Sequence, residues 1–82
     1  MKIVWDERKR QANLLKHGLD FALLDAEFFA AAYIGAARRD RLLAVGEING
    51  IVTVIFIRLG TEGLSVISMR PASRRERRLL DG

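Results

Sequence analysis

The dipeptide Asn49-Gly50, set between the apolar runs 42–48 and 51–59, constrains the fold of this chain more than any other feature. Both residues tolerate the positive φ of a type I′ turn, so the two runs are expected to pair as an antiparallel hairpin. The second run contains Ile51-Val52-Thr53-Val54-Ile55-Phe56-Ile57, with no alternation between apolar and polar positions. A strand that is apolar on both sides belongs in the middle of a sheet with cover above and below.

Helical signals lie on either side of the hairpin. Asp6 suits a helix N-cap, with Trp5 placed to staple onto a later apolar side chain, and Gly18 suits the left-handed stop of a helix over residues 7–17. Asp20 can cap a second helix over residues 21–29, with Phe21, Leu24 and Phe28 near one face. Short strands are expected at residues 2–5 and 31–34, and a longer one at 64–70, ended by Pro71. Ser73 and Glu76 form a Ser-x-x-Glu capping box that opens a last helix over residues 74–80. The order β-α-α-β-β-β-β-α predicts an α+β fold, an antiparallel sheet with helices packed on it. At 82 residues, half of them apolar, the chain is read as one domain, residues 1–82, because two cores would each be too small.

Composition narrows the chemistry. With no cysteine there is no disulfide, thiolate nucleophile or thiolate-bound zinc, and a single histidine is too few for the usual transition-metal sites. No metal and no cofactor is expected. The N-terminus turns charged at once, without the apolar core of a secretory signal, and residues 51–57 fall far short of the roughly 20 needed to cross a bilayer. A cytoplasmic protein that does not engage membranes is the expectation.

The net charge of +4 is unevenly spread: residues 1–69 hold nine basic and eight acidic side chains, and residues 70–82 hold five arginines against Glu76 and Asp81. Arg74 and Arg75 fall in the first turn of the last helix, where the macrodipole disfavours cations by about 0.3–1 kcal/mol each. Guanidinium groups on a helix N-terminus suit an anion, phosphate above all. The plainer reading is that Arg74, Arg75, Arg77 and Arg78 are a solvated basic surface paired with nearby acids. Arg70 and Arg58 end strands and could border a cleft, although an arginine at a strand end is ordinarily just surface. His17 is of the type that titrates near neutrality and suits acid–base work, but beside Gly18 it equally suits the free carbonyls of a helix end. Arginine, one histidine, Glu62, Glu76 and a few hydroxyls are a set that can support RNA cleavage, because RNA brings its own nucleophile in the 2′-OH.

Two blocks carry a family resemblance. Trp5-Asp6-Glu7, Lys9, Asn13 and Lys16-His17-Gly18 resemble the opening signature of BrnT toxins, and Ile67-Ser68-Met69-Arg70 with Ala72-Ser73-Arg74-Arg75-Glu76-Arg77-Arg78 resembles the closing one. The resemblance implies a RelE-like fold and a metal-independent ribonuclease that inhibits translation, the toxin of a type II toxin–antitoxin system. It implies catalytic roles for Arg70, Arg58, His17 and Glu76, and phosphate binding by Arg74, Arg75, Arg77 and Arg78. The implied partners are RNA and a BrnA-like ribbon-helix-helix antitoxin, with operator DNA reached only through that antitoxin and a toxin dimer within the complex. The chain departs from the family at Leu80, where a tyrosine is usual, and at Phe56-Ile57-Arg58, where Thr-x-Arg is usual. A second reading follows from those departures: a non-catalytic module that binds an acidic protein or nucleic acid through its arginine helix. Direct DNA recognition has no helix-turn-helix to support it.

Overall fold

A computed structural model describes residues 1–81. Its elements are β1 (Lys2–Trp5), α1 (Glu7–His17), a 3₁₀ turn (Phe21–Leu23), α2 (Ala26–Ala31), β2 (Tyr33–Ala36), β3 (Leu42–Glu47), β4 (Ile51–Leu59), β5 (Gly63–Pro71) and α3 (Arg74–Asp81). The five strands form one sheet in the order β1-β5-β4-β3-β2, so the class is α+β and β4 is central as its composition demands.

The sheet is mixed and not antiparallel throughout, because β1 runs parallel to β5. Hairpin signals identify neighbours joined by a turn. The partner of β1 lies beyond two helices, a 3₁₀ turn and three strands, and no local pattern encodes it. The β3–β4 connection is a three-residue loop, since Glu47 pairs with Ile51 across it. The expected two-residue turn is replaced, although Asn49 and Gly50 both have positive φ, 50° and 127°. The second helix is broken. Leu24 is extended, and Asp25 starts α2 afresh by accepting from the Phe28 N–H at 2.8 Å, while Asp20 caps only the 3₁₀ turn. Two Asx caps five residues apart leave no room for one continuous helix. This break delays β2 to Tyr33–Ala36.

Caps elsewhere sit where the residues call for them. Asp6 accepts from Arg8 N–H at 2.8 Å, and Gly18, at φ 69°, closes α1 with its N–H on the Leu14 carbonyl. Trp5 packs edge-on against Phe21, and its Nε1 donates to Glu7 Oε1 at the start of α1 at 3.2 Å.

The sheet has two unlike faces. Phe21, Leu24, Phe28 and Phe29 cover the inner face, packing with Ala44, Val52, Val54, Phe56, Leu64, Val66 and Met69 into the core. On the outer face α3 covers Val45 and Thr53, which are both fully buried. A bulge opposite Ile55/Phe56 leaves Ile67 unpaired and reverses the facing of the rest of β5. Leu64 and Val66 therefore point into the core, while Ser68 and Arg70, paired with Ile55 and Thr53, stand on the outer face. Simple alternation would have put all four together.

Asn13 joins α1 to this framework. Beyond Trp5 the edge of β5 has no strand beside it, and the Asn13 side-chain amide takes that place. Its Nδ2 donates to the Met69 carbonyl at 2.8 Å and its Oδ1 accepts from the Met69 N–H at 3.0 Å, with a further bond to the Leu19 carbonyl at 3.0 Å. Arg10 adds a two-pronged contact to Asp20, at 2.9 and 3.3 Å.

Candidate nucleic-acid interface

The outer face gathers most of the polar chemistry. Glu76, held in the first turn of α3, lies over β4 and β5, and its side chain is only 14% exposed. Its carboxylate accepts from Arg70 Nη1 and Nη2 at 2.7 and 2.9 Å, from Thr53 Oγ1 at 2.9 Å and from the Ser73 N–H at 2.9 Å. Ser73 Oγ in turn accepts from the Glu76 N–H at 3.1 Å, which completes the capping box. One acid thus caps α3, docks it on the sheet and fixes the guanidinium of Arg70.

Those bonds determine its ionisation. The paired Arg70 guanidinium, followed by the Ser73 N–H and the Thr53 hydroxyl, holds the Glu76 carboxyl at about 2 against an ordinary 4.5, and burial opposes them only in part. The same pairing raises Arg70 further above its ordinary value. Glu76 is an anion at neutral pH whose carboxylate accepts four hydrogen bonds, which suits positioning better than proton transfer. Because its folded pKa is depressed, the stability it contributes is complete above pH 4.5 and is lost as pH falls towards 2. The melting temperature is expected to decline over that window, with a shallower decline in Glu76→Gln, measured by circular dichroism across a pH series.

A second cluster borders the same face. Lys9, Ala12, Asn13, Lys16 and His17 of α1 line a groove of about 240 Å³ against Ile67 and Ser68 of β5. Among the described residues no acid lines it. With Asn13 turned to β5, the α-helical repeat puts Lys9, Lys16 and His17 within about 60° of the same side. Ser68 is the junction between the clusters, since Arg70 lies two residues further along the same face of β5, about 7 Å away.

The remaining arginines are dispersed. Arg74, Arg75, Arg77 and Arg78 are all exposed and make no ion pair among the described residues. With Glu76 facing the sheet, Arg74 and Arg78 point away from it and Arg75 and Arg77 lie on the flanks. They form a basic rim around α3, and they do not meet Arg70 in one pocket. Arg58 is not brought to this site. It pairs with Leu64 at the far end of β4, five positions from Thr53 and on the inner side, where it borders a small cavity with Met1, Phe29 and Ile34. Leu80, half-buried near the end of α3, lines a cavity with Leu23, Phe28, Gly46 and Ile48. The residues that sequence reasoning left without a role are Lys9, Lys16, Asn13, Thr53 and Ser68. The first three stand in the opening signature at positions 9, 13 and 16, a spacing that marks one helix face and could have identified them.

Among the described residues no group of acids and histidines could hold a metal ion, and no helix is long and apolar enough to cross a membrane.

Comparison with known proteins identifies the family. A model of the family described as ribonuclease toxin, BrnT, of type II toxin-antitoxin system matches residues 5–76. The crystal structure of the Brucella abortus ribonuclease toxin BrnT superposes with a TM-score of 0.84 at 58% identity, over 90% of this chain and 99% of that one. Comparison with curated proteins gave no match. The family match takes in both the groove of α1 and the Arg70–Glu76 pair, and the chain belongs to the BrnT family of type II toxin–antitoxin ribonuclease toxins.

Proposed function

We propose that this protein is a metal-independent endoribonuclease that binds single-stranded RNA on its outer sheet face and thereby inhibits translation. The observation that carries the reading is the juncture at Ser68, with a cationic groove containing His17 on one side and the fixed guanidinium of Arg70 on the other. In this reading the RNA 2′-oxygen attacks the adjacent phosphorus and the bond to the 5′-oxygen breaks, giving a 2′,3′-cyclic phosphate and a 5′-hydroxyl. His17 takes the 2′-OH proton and water protonates the departing 5′-oxygen. Arg70 stabilises the charge that builds on the phosphoryl oxygens, and its geometry is set in advance by Glu76, which acts as a positioning residue. Lys9, Lys16 and the exposed Arg74, Arg75, Arg77 and Arg78 attract the backbone, so affinity falls with salt. Arg58 stands outside this scheme.

The toxin is held inactive, in the same reading, by a BrnA-like ribbon-helix-helix antitoxin in the cytoplasm, with two toxin copies in the complex and operator DNA contacted through the antitoxin alone. The RelE-like description of the fold belongs to this proposal as well.

The test uses purified protein and a short RNA in excess EDTA. Cleavage is expected to persist, to yield cyclic phosphate ends, and to stop at a linkage whose 2′-OH is replaced by hydrogen. Loss of activity in EDTA, or cleavage of the 2′-deoxy linkage, contradicts the mechanism. An intact RNA that nevertheless binds in a salt-dependent way selects the non-catalytic binding module, which the outward placement of the four α3 arginines favours.

A further inference from the structure

The strand pairings align side chains in rows across the outer face. One row, Tyr33–Val45–Thr53–Arg70, passes beneath α3, where Val45 and Thr53 are fully buried. The next row, Gly35–Leu43–Ile55–Ser68, lies beside α3 and is only half-buried at every position. At its β5 end this open row runs into the groove of Lys9, Lys16 and His17. Its other end is Gly35, and here the glycine has a specific consequence. A Cβ at that position would lie 2.9 Å from Tyr33 Cε2 and 3.3 Å from its hydroxyl oxygen, so the Tyr33 ring folds down over β2 above Gly35. Tyr33 remains 38% exposed, while the four phenylalanines are buried in the core.

The result is a track of four strands, about 14 Å from end to end at the usual strand spacing. It has a cationic groove at one end, an apolar floor of Leu43 and Ile55, and an open aromatic ring at the other. The turn after β2 adds exposed Arg38, Arg39 and Arg41 with only Asp40 among them. Cations that follow a backbone combined with an aromatic platform are what a single strand of nucleic acid requires, because every base has a face to stack and every linkage a charge.

We propose that Tyr33, seated over Gly35, is the stacking subsite for one unpaired base of the RNA strand, a nucleotide or more away from the linkage cut beside Ser68. This rests on the outer face being the RNA site. Tyr33 contributes to binding and to the choice of cleavage position, and the chemical step does not use it.

The experiment measures binding of a fluorescent, non-cleavable 2′-O-methyl oligonucleotide, together with variants of that probe lacking one base at a time. Tyr33→Leu is expected to weaken binding by about tenfold or more, with Tyr33→Phe close to wild type. Gly35→Ala is expected to weaken it in the same direction with little change in melting temperature, because the added Cβ displaces a mobile ring and no backbone. Removing one particular base should cost the wild type as much as Tyr33→Leu does, and should cost Tyr33→Leu nothing more. Wild-type binding that is indifferent to Tyr33→Leu and to Gly35→Ala overturns the subsite and leaves the ribonuclease reading standing. Failure of the wild type to bind the probe at all overturns that reading, and the subsite with it. Unchanged RNA affinity with weakened capture by the cognate antitoxin would make Tyr33 a protein contact and overturn the proposal.

Discussion

Arg70→Ala is expected to lower RNA cleavage by about 10²–10³-fold while the protein remains folded, the loss seen when one preorganised donor to a developing oxyanion is removed. Arg70 is suited to that role because its position is decided before substrate arrives: two hydrogen bonds to Glu76, at 2.7 and 2.9 Å, restrain it, yet its side chain stays 38% exposed and reachable by a phosphate. Arg70→Lys should recover only part of the rate, since an ammonium lacks the planar fork that meets carboxylate and phosphate together. Glu76→Gln should fall between wild type and Arg70→Ala, because the amide oxygen can still hold one guanidinium nitrogen. Cleavage rates on a fluorogenic RNA, with thermal melts alongside, check all three. Equal rates for Arg70→Ala and wild type would remove Arg70 from the chemistry.

Asn13→Ala is expected to be the most destabilising polar substitution in the chain. Its amide gives both polar groups of Met69 their partners at a strand edge that has no neighbour, and it also satisfies the Leu19 carbonyl. Asn13 is buried and Met69 is fully buried, so the groups left behind cannot turn to bulk water. Orphaned buried groups of this kind cost about 1–3 kcal/mol each, and a total on the order of 2–4 kcal/mol corresponds to a fall in melting temperature of roughly 10–25 °C at this chain length. Asn13→Asp should be at least as harmful, because a carboxylate oxygen would then face the Met69 carbonyl. Activity should fall as well, since α1 carries Lys9, Lys16 and His17, and this contact together with the Arg10–Asp20 pair fixes α1 against its neighbours. Calorimetry of the two variants provides the check; a melting temperature within a degree or two of wild type would contradict the account of α1.

What could be read from the sequence was mostly what is settled between near neighbours. Asp6 and Gly18 bound α1 through contacts no more than four residues long, and Ser73 with Glu76 opens α3 in the same way. The apolar run of β4 announced its central place because burial on both sides leaves a compositional mark. Phe21, Leu24 and Phe28 were recognisable as core even though the helix meant to carry them is broken at Asp25, since their apolarity survives a change of backbone. The rest depended on distant partners. The parallel pairing of β1, the bulge at Ile67 and the bond from Asn13 to Met69, 56 residues away, have no local signature. Glu76 could be seen as a cap, but its second task on Thr53 and Arg70 required the sheet to be in place. Arg58 shows the opposite error: it does end its strand and border a cavity, but it shares the inner face with Val54 and Phe56 and stands away from Arg70.

The claim on which the rest depends is that RNA lies on the outer face, between the groove of α1 and the Arg70–Glu76 pair. Amide chemical-shift mapping with a 2′-O-methyl oligonucleotide tests it directly. The account predicts saturable shifts at Lys9, Lys16, His17, Ile55, Ser68 and Arg70, with none at Leu24 or Phe28. Shifts confined to Arg58 and the inner side, or to the outward flank of α3 alone, would contradict it.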